Sequence, residues 1–337
     1  MTQLPADRYT LIGVNGSPYS MKMRAILRYR RLPFNWIIRT TRNTHLTDTV
    51  KPALIPVLYC PGESKPHIDS TPMAYMLEER HPNNRSIIPT DPVLAFLSHL
   101  IEDMGDEWVT KAMFHYRWMY DADIKFAMQW IIDERYPDAD EAERKRQMDL
   151  FADRQIGRMP LVGCTQENTP AVETSYHRLL GILEGRVHQH QYLFGSRPSL
   201  GDFGLFGQLT VLATDPTPRA IMRAEAQRVE SWLRMLEDSS GIEGEWQESQ
   251  EPSDTVKDLL SLAGKTYLPF LQANAKAAEA GEESFSLEIL GHPYSQGTFG
   301  YQVKCLKDLK ARYQALGDTH KARAHTILEA TGCLEFL

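Results

Sequence analysis

The chain has few cysteines, no long apolar run and no surplus of positive charge. Its four cysteines, Cys60, Cys164, Cys305 and Cys333, lie far apart and form no CxxC pair. That excludes a small disulfide-stapled scaffold and a zinc knuckle, and it fits a reducing compartment. The longest apolar runs, such as residues 11–14, fall far short of the roughly 18 residues that a membrane span needs. The opening MTQLPADRYT has neither a basic start nor an apolar core, so no secretory signal is expected and a cytoplasmic location is. There is no P-loop or GxGxxG fingerprint. His188 and His190 stand two apart, which on a helix sets them on different faces, so no metal is expected from them. A net charge of −7 gives no reason to expect a nucleic acid partner.

What is present is ordinary globular composition, with 42% hydrophobic and 24% charged residues. At roughly 150 residues per domain, 337 residues suggest two domains with chain to spare. The charge is uneven. Residues 1–90 carry 12 Lys and Arg against 6 Asp and Glu, and the remainder carries 25 against 38. The break coincides with the turn-rich stretch NNRSIIPTDP at 83–92, a natural domain boundary. Lys22, Arg24, Arg28, Arg30 and Arg31 read as a solvated helix face. The positive field of this first part favours a small anionic ligand over a cationic one.

The first ninety residues alternate strand and helix. Residues 9–14 suit a buried strand, and Asn15-Gly16 is a turn signal. Ser17 and Pro18 then read as N-cap and first position of a helix that Leu32-Pro33 ends. Phe34, Trp36 and Ile38 alternate as in a half-buried strand. A β-rich stretch at 54–59 carries Pro56, which a central ladder cannot accommodate. Ile68 marks a very short strand, and 70–80 reads as helix. The order is βαβ, an irregular segment, ββ, then α.

Three motifs within this order resemble the glutathione S-transferases. Ser17-Pro18-Tyr19-Ser20 follows the first strand, where redox relatives carry a cysteine. Ile55-Pro56-Val57-Leu58 is similar to the family's VPVL, whose proline is cis. The segment 69–77 (DSTPMAYML) is close to the family's ESxxIxxYL. Further on, Leu193-Phe194-Gly195 followed by Pro198-Ser199-Leu200-Gly201-Asp202 resembles the helical-domain signature, in which Ser199 and Asp202 read as a capping box. The resemblance covers residues 9 to about 240.

It implies an α+β/α fold. A thioredoxin-like βαβ-ββα glutathione-binding domain would span residues 1–85, an all-α domain 92–240, and a helical extension outside the resemblance 250–337. It implies a serine-type glutathione transferase, with glutathione as co-substrate, a small hydrophobic electrophile or peroxide as second substrate, a homodimer, and a role in detoxification. A thiolate is the nucleophile in such chemistry, and lowering a thiol pKa takes positive potential and a hydrogen-bond donor. The first-helix N-terminus offers the former, and Ser17 offers the latter, with Tyr19 and Ser20 as alternates. The absence of cysteine from this motif disfavours mixed-disulfide chemistry, and Cys60 reads as structural. The backbone at Ile55 and Pro56 would pair with the cysteinyl part of glutathione, and Asp69 and Ser70 with the γ-glutamyl end. For the glycine carboxylate no residue matches; among Arg42, His45 and Lys51 only Lys51 is carried as a candidate. Asp103, Trp108 and Tyr116 are candidates for the second-substrate pocket.

Helical spacing predicts further helices at 126–132, 144–158, 174–189, 203–213 and 220–236. The tail reads as an acidic linker at 242–254, a helix at 255–281, a loop at 291–301, and helices at 303–315 and 319–331. The expectation for the tail is packing on the helical domain, with the 291–301 loop shaping the pocket. The rival reading of the whole chain is a non-catalytic module of the same fold that binds protein.

Overall fold

The computed structural model describes residues 5–82, 84–186 and 191–337. Asn83, His188 and His190 lie outside the described residues. The N-terminal part runs β1 (Tyr9–Gly13), α1 (Pro18–Tyr29), β2 (Phe34–Ile38), a 3-10 turn, β3 (Val57–Tyr59), β4 (Pro66–His67) and α2 (Ser70–Arg80). The sheet order is β2-β1-β3-β4. β1 pairs in parallel with β2 (Leu11 opposite Trp36) and antiparallel with β3 (Leu11 opposite Leu58). β1 is buried along its length, as a central strand should be. Pro56 stands just before β3 and leaves the ladder intact. Ile68 falls one residue past β4 rather than within it.

The remainder is mostly helical. α3 (Pro92–Met104) passes through a π-helical turn at Gly105–Val109 into α4 (Thr110–Met119). There follow α5 (Asp121–Arg135), α6 (Glu141–Ile156), α7 (Thr169–Arg186), α8 (Leu200–Leu212), α9 (Pro216–Glu225) and α10 (Gln227–Glu237). α11 (Asp254–Lys265), α12 (Tyr267–Ala280), a hairpin of β5 (Ser284–Ile289) and β6 (His292–Gly297), α13 (Gly300–Gln314) and α14 (Asp318–Ala330) complete the chain. Among the described residues no helix is long and apolar enough to cross a membrane.

Three expectations for these segments need correction. The single helix read at 220–236 is two, because Ala226 (φ −147°, ψ 58°) interrupts it. The helix at 255–281 breaks likewise at Thr266 (φ −132°, ψ −72°). The loop at 291–301 contains β6. Its partner β5 alternates Phe285, Leu287 and Ile289 inward, and the turn between them, Leu290-Gly291, has both residues at positive φ, the geometry that matches strand twist. Gly291 marks the turn, but an alternation of only six residues was masked by the polar residues between.

α8 is the central helix, buried almost throughout. Its N-terminus carries the expected capping box: Ser199 Oγ accepts from the Asp202 N–H, and Asp202 Oδ2 accepts from the Ser199 N–H at 2.9 Å. Asp202 Oδ1 also accepts from the Leu193 N–H, tying the incoming loop to the cap. Close approach of α8 to its neighbours depends on glycine. A Cβ on Gly204 would lie 2.8 Å from Glu102 Cα, and one on Gly207 2.7 Å from the Pro18 carbonyl oxygen. Gly204→Ala is therefore expected to destabilise by about 1–3 kcal/mol despite alanine's better helix propensity, because backbone cannot yield as a side-chain tip can. Chemical denaturation checks this; a stabilised variant would refute the packing argument.

The solvated face expected for the basic residues of α1 is also corrected. Lys22 and Arg30 are fully buried and Arg24 nearly so. Arg30 donates to Glu78 and to the His81 and Asn84 carbonyls, which fastens α1 to the end of α2. Arg24 pairs with Glu237 of α10 at 2.9 Å, and Arg28 donates to the Glu237 carbonyl. Lys22 pairs with Glu102 and Asp106. The basic surplus of the first ninety residues thus meets the acidic surplus of the remainder across the contact between the two parts. Much of the field expected to attract an anion is spent within the chain.

Candidate functional site

Ser17 caps α1 from extended backbone (φ −101°, ψ 118°) and is 9% exposed. Its Oγ accepts from the Ser20 N–H at 3.3 Å. Among the described residues its own O–H donates to nothing, so the proton remains available to a ligand. Of the two alternates, Tyr19 is committed elsewhere and Ser20 is shielded from solvent. The Tyr19 O–H donates to the Asp106 carbonyl at 3.0 Å, and burial first, then the nearby Glu107 and Asp106 charges, holds its pKa well above the ordinary phenol value. Ser20 is fully buried, and its Oγ accepts from the Val14 N–H.

The loop before Ser17 is covered by the helical domain. Asn15 donates its backbone N–H and Nδ2 to Glu134 of α5, at 3.2 and 2.5 Å. Arg117 donates to the Gly16 carbonyl, and the Trp130 ring lies so close that a Cβ on Gly16 would meet it at 2.9 Å. Burial raises the Glu134 pKa against the lowering effect of the Asn15 hydrogen bonds.

The Ile55–Pro56 bond is cis. Asp69 precedes α2 at φ 73°, ψ 113°, a backbone conformation that a non-glycine residue seldom adopts. Its carboxylate accepts from the Tyr301 hydroxyl of α13 at 3.0 Å. Ser70, buried, receives the Lys22 ammonium on its Oγ at 3.2 Å and donates to Asp106 Oδ2 at the same distance. Lys51 is exposed. The structure thus brings Asp69 and Ser70 together at the start of α2, with both side chains already engaged by groups from other elements.

Beside them, the end of α3 and the π-helical turn carry Glu102, Asp103, Asp106 and Glu107. Lys22 is the cation placed between two of them: its Nζ lies 2.7 Å from Asp106 Oδ2, and it pairs with Glu102 as well. Burial alone would depress the Lys22 pKa, but Asp106 and Glu102 hold it raised. Burial raises Asp106 to about 7 against the pull of Lys22, whereas Lys22 keeps Glu102 lowered. The physical sense is that one ammonium cannot neutralise two buried carboxylates, so Asp106 keeps a proton into the neutral range. Burial and the Asp103 and Asp106 charges raise Glu107 to about 8. Burial chiefly raises Asp103 to about 6.

Of the residues considered for a second-substrate pocket, Asp103 accepts from the Tyr267 hydroxyl of α12 at 2.6 Å. Trp108 is buried against Phe270 and Tyr294 and donates to Ser175 at 2.7 Å. It borders a cavity of about 10 Å3, room for about one water. Tyr116 is buried in an aromatic cluster with Tyr120 and Tyr176. Trp108 and Tyr116 are core residues of the helical part, not walls of an open cleft.

Lys22, Glu102, Asp106, Glu107 and Tyr301 were missed in the sequence as site residues. The four-residue spacing of Glu102 to Asp106 and of Asp103 to Glu107 was the available signal, since it puts carboxylates in pairs on one helix face. Nothing in the sequence near Tyr301 points to Asp69, 232 residues away.

With this geometry in place, the comparisons with known proteins are informative. Residues 11–85 match the family model of the glutathione S-transferase N-terminal domain, and residues 166–234 that of the glutathione S-transferase C-terminal domain. The class is thus a thioredoxin-like domain joined to a helical domain. The chain belongs to the glutathione S-transferase superfamily. No curated protein matches the sequence. Among solved structures, the chain is similar to a glutathione S-transferase from Methylobacterium radiotolerans in complex with glutathione sulfonate, at 20% identity and a TM-score of 0.43 over 72% of this chain and 99% of that one. It is similar to a β-etherase from a Sphingobium strain at 17% identity and a TM-score of 0.46, over 75% and 98%. A third is a glutathione S-transferase from Ceriporiopsis subvermispora in complex with glutathione, at 12% identity and a TM-score of 0.47, over 72% and 100%.

Proposed function

We propose that the protein is a glutathione transferase of the serine type, in which bound glutathione is held as thiolate at the N-terminus of α1 by the Ser17 hydroxyl and attacks a small electrophile. The observation that carries this reading is the uncommitted Ser17 O–H at a helix N-terminus, beside a Tyr19 hydroxyl that already donates to Asp106 and a Ser20 side chain that is fully buried. A hydroxyl donating to a charged partner contributes about 1.5–3 kcal/mol. Ser17→Ala is therefore expected to lower kcat/KM for a generic electrophile by roughly tenfold to a hundredfold and to move the thiol pKa read from the pH–rate profile upward. Tyr19→Phe should leave that pKa in place. Unchanged turnover in Ser17→Ala would remove serine from the mechanism. The location proposed is cytoplasmic, and the assembly a homodimer.

A second reading, a non-catalytic module of the same fold, is favoured by one observation: Asp69 and Ser70, the groups expected to receive the γ-glutamyl end, are occupied by Tyr301, Lys22 and Asp106. Thermal unfolding with glutathione separates the two. Glutathione at 100 times its dissociation constant should add about 2.7 kcal/mol of stability. An unmoved Tm at millimolar glutathione would decide for the module.

A further inference from the structure

We infer that the β3–β4 hairpin is a binding site for a divalent metal ion of borderline softness, Zn2+ being the type, with Cys60, Glu63 and His67 as its protein ligands. The sequence here is Cys60-Pro61-Gly62-Glu63 and, after three further residues, His67. The Glu63 N–H donates to the Cys60 carbonyl at 3.0 Å, and Gly62, third in the turn, has φ +72°. That is a type II turn, with proline at the second position presetting φ and glycine at the third supplying the positive φ. The turn fixes the first and fourth residues, Cys60 and Glu63, next to each other. β4 then returns antiparallel to β3, with His67 opposite Leu58, and brings the imidazole to the same end of the hairpin. One ligand atom from each of the three side chains lies within 4.8 Å of the other two.

The chemistry of the three suits one class of ion. Thiolate, imidazole and carboxylate together are the donor set of zinc, and three protein ligands leave a fourth tetrahedral position for water. With metal–ligand bonds of about 2.0–2.3 Å, tetrahedral ligand atoms stand roughly 3.3–3.8 Å apart. The His67 Nε2 to Glu63 Oε2 separation of 3.6 Å already falls in that range, and the remaining separations, all within 4.8 Å, are ones that rotation of the partly exposed Glu63 and His67 side chains can adjust. His67 Nε2 is shielded from solvent and has no hydrogen-bond partner among the described residues; it faces Glu63 Oε2 at 3.6 Å. Arg80 of α2 donates to Glu63 Oε1 at 2.6 Å and to Oε2 at 3.3 Å; the short bond to Oε1 supplies the outer hydrogen bond that orients a ligating carboxylate, and the long one to Oε2 is the contact the ion would displace. Thiolate and carboxylate balance the dication, and the Cys60 thiol proton passes to solvent on binding. The hairpin lies by the β1 end that carries Tyr9 and Thr10, whereas Ser17 follows the opposite end. The site is therefore separate from the one proposed for glutathione.

Co2+ titration of the full-length protein, purified with a chelator and a reductant, tests this. Expected is one equivalent bound per chain with a thiolate-to-cobalt charge-transfer band, displaced by Zn2+. Cys60→Ser should abolish the band. His67→Ala and Glu63→Gln should each weaken the Co2+ dissociation constant at least tenfold. Because Cys60 is buried, the two variants at partly exposed positions keep the test decisive if the serine variant does not fold. Absence of a charge-transfer band in the unmodified protein, its retention in Cys60→Ser, or an unchanged dissociation constant in both other variants would overturn the proposal.

Discussion

Lys22→Ala is expected to destabilise the protein by about 3–5 kcal/mol, because it leaves Glu102 and Asp106 buried with no cation between them. Against a typical domain stability of about 5–15 kcal/mol, that is a large share of the total. Lys22 also donates to Ser70 and Thr71, so its loss removes hydrogen-bond donors at the start of α2 as well. The control is a neutral replacement of the whole cluster, Lys22→Met with Glu102→Gln and Asp106→Asn. Exchanging every charged member for an isostere of similar volume should recover most of the lost stability. Urea denaturation of the three proteins gives the answer. A single variant within 1 kcal/mol of the parent, or a triple variant no better than the single, would show that the buried pairing does not hold the two parts together.

The protein is expected to lose stability as pH rises from about 4 to about 8, with the steepest loss between about pH 5 and 6, where three carboxyls are protonated in the folded chain and ionised in the unfolded one. Asp103, Asp106 and Glu107 have folded-state pKa values raised to about 6, 7 and 8 by burial. Their unfolded-state values are near 4. A raised carboxyl binds its proton more tightly in the folded chain. Its stabilising contribution is thus complete below the unfolded value and is lost as pH climbs through the folded one. Lys111, lowered to about 8 by burial, stays protonated in both states through most of this window and adds no slope until its upper edge. At the acid end the sign reverses: Asp308 is lowered to about 2 by its His99 and Arg312 hydrogen bonds, and its contribution is lost as pH falls from about 4 toward 2. Stability should therefore peak on the acid side of neutrality. Glu107→Gln, which keeps the volume and removes one ionisation, should raise the Tm at pH 8.5 and raise it far less at pH 5. A Tm that rises steadily from pH 5 to 8.5 in the parent would contradict the burial of these carboxylates.

The same cluster shows how much of the protein was legible from the chain alone. The βαβ-ββα order, the Ser17 and Ser199 caps and the family were readable because each rests on residues a few positions apart. N-caps, turn prolines and apolar periodicity act through local sterics and hydrogen bonds. The basic face of α1 was misread for the complementary reason. Lys22, Arg24 and Arg30 stand at positions that any surface helix fills with cations, and only the arrival of α2, α3 and α10 decides that they are buried. The hairpin at 284–297 was lost to its brevity and its polar neighbours.

By itself, then, the sequence determined the two-part architecture, the superfamily, and the placing of Ser17, Pro56, Asp69 and Ser70 at strand ends and helix starts. Tertiary structure alone decided what those groups face. It engaged Tyr19, buried Ser20 and left the Ser17 hydroxyl proton free, spent Asp69 on Tyr301 and Ser70 on Lys22, and gathered Cys60, Glu63 and His67 at one turn. The reason is physical. Local propensity follows from neighbours along the chain, whereas the partner of a hydroxyl or carboxylate follows from which distant element packs against it, and burial then sets its charge.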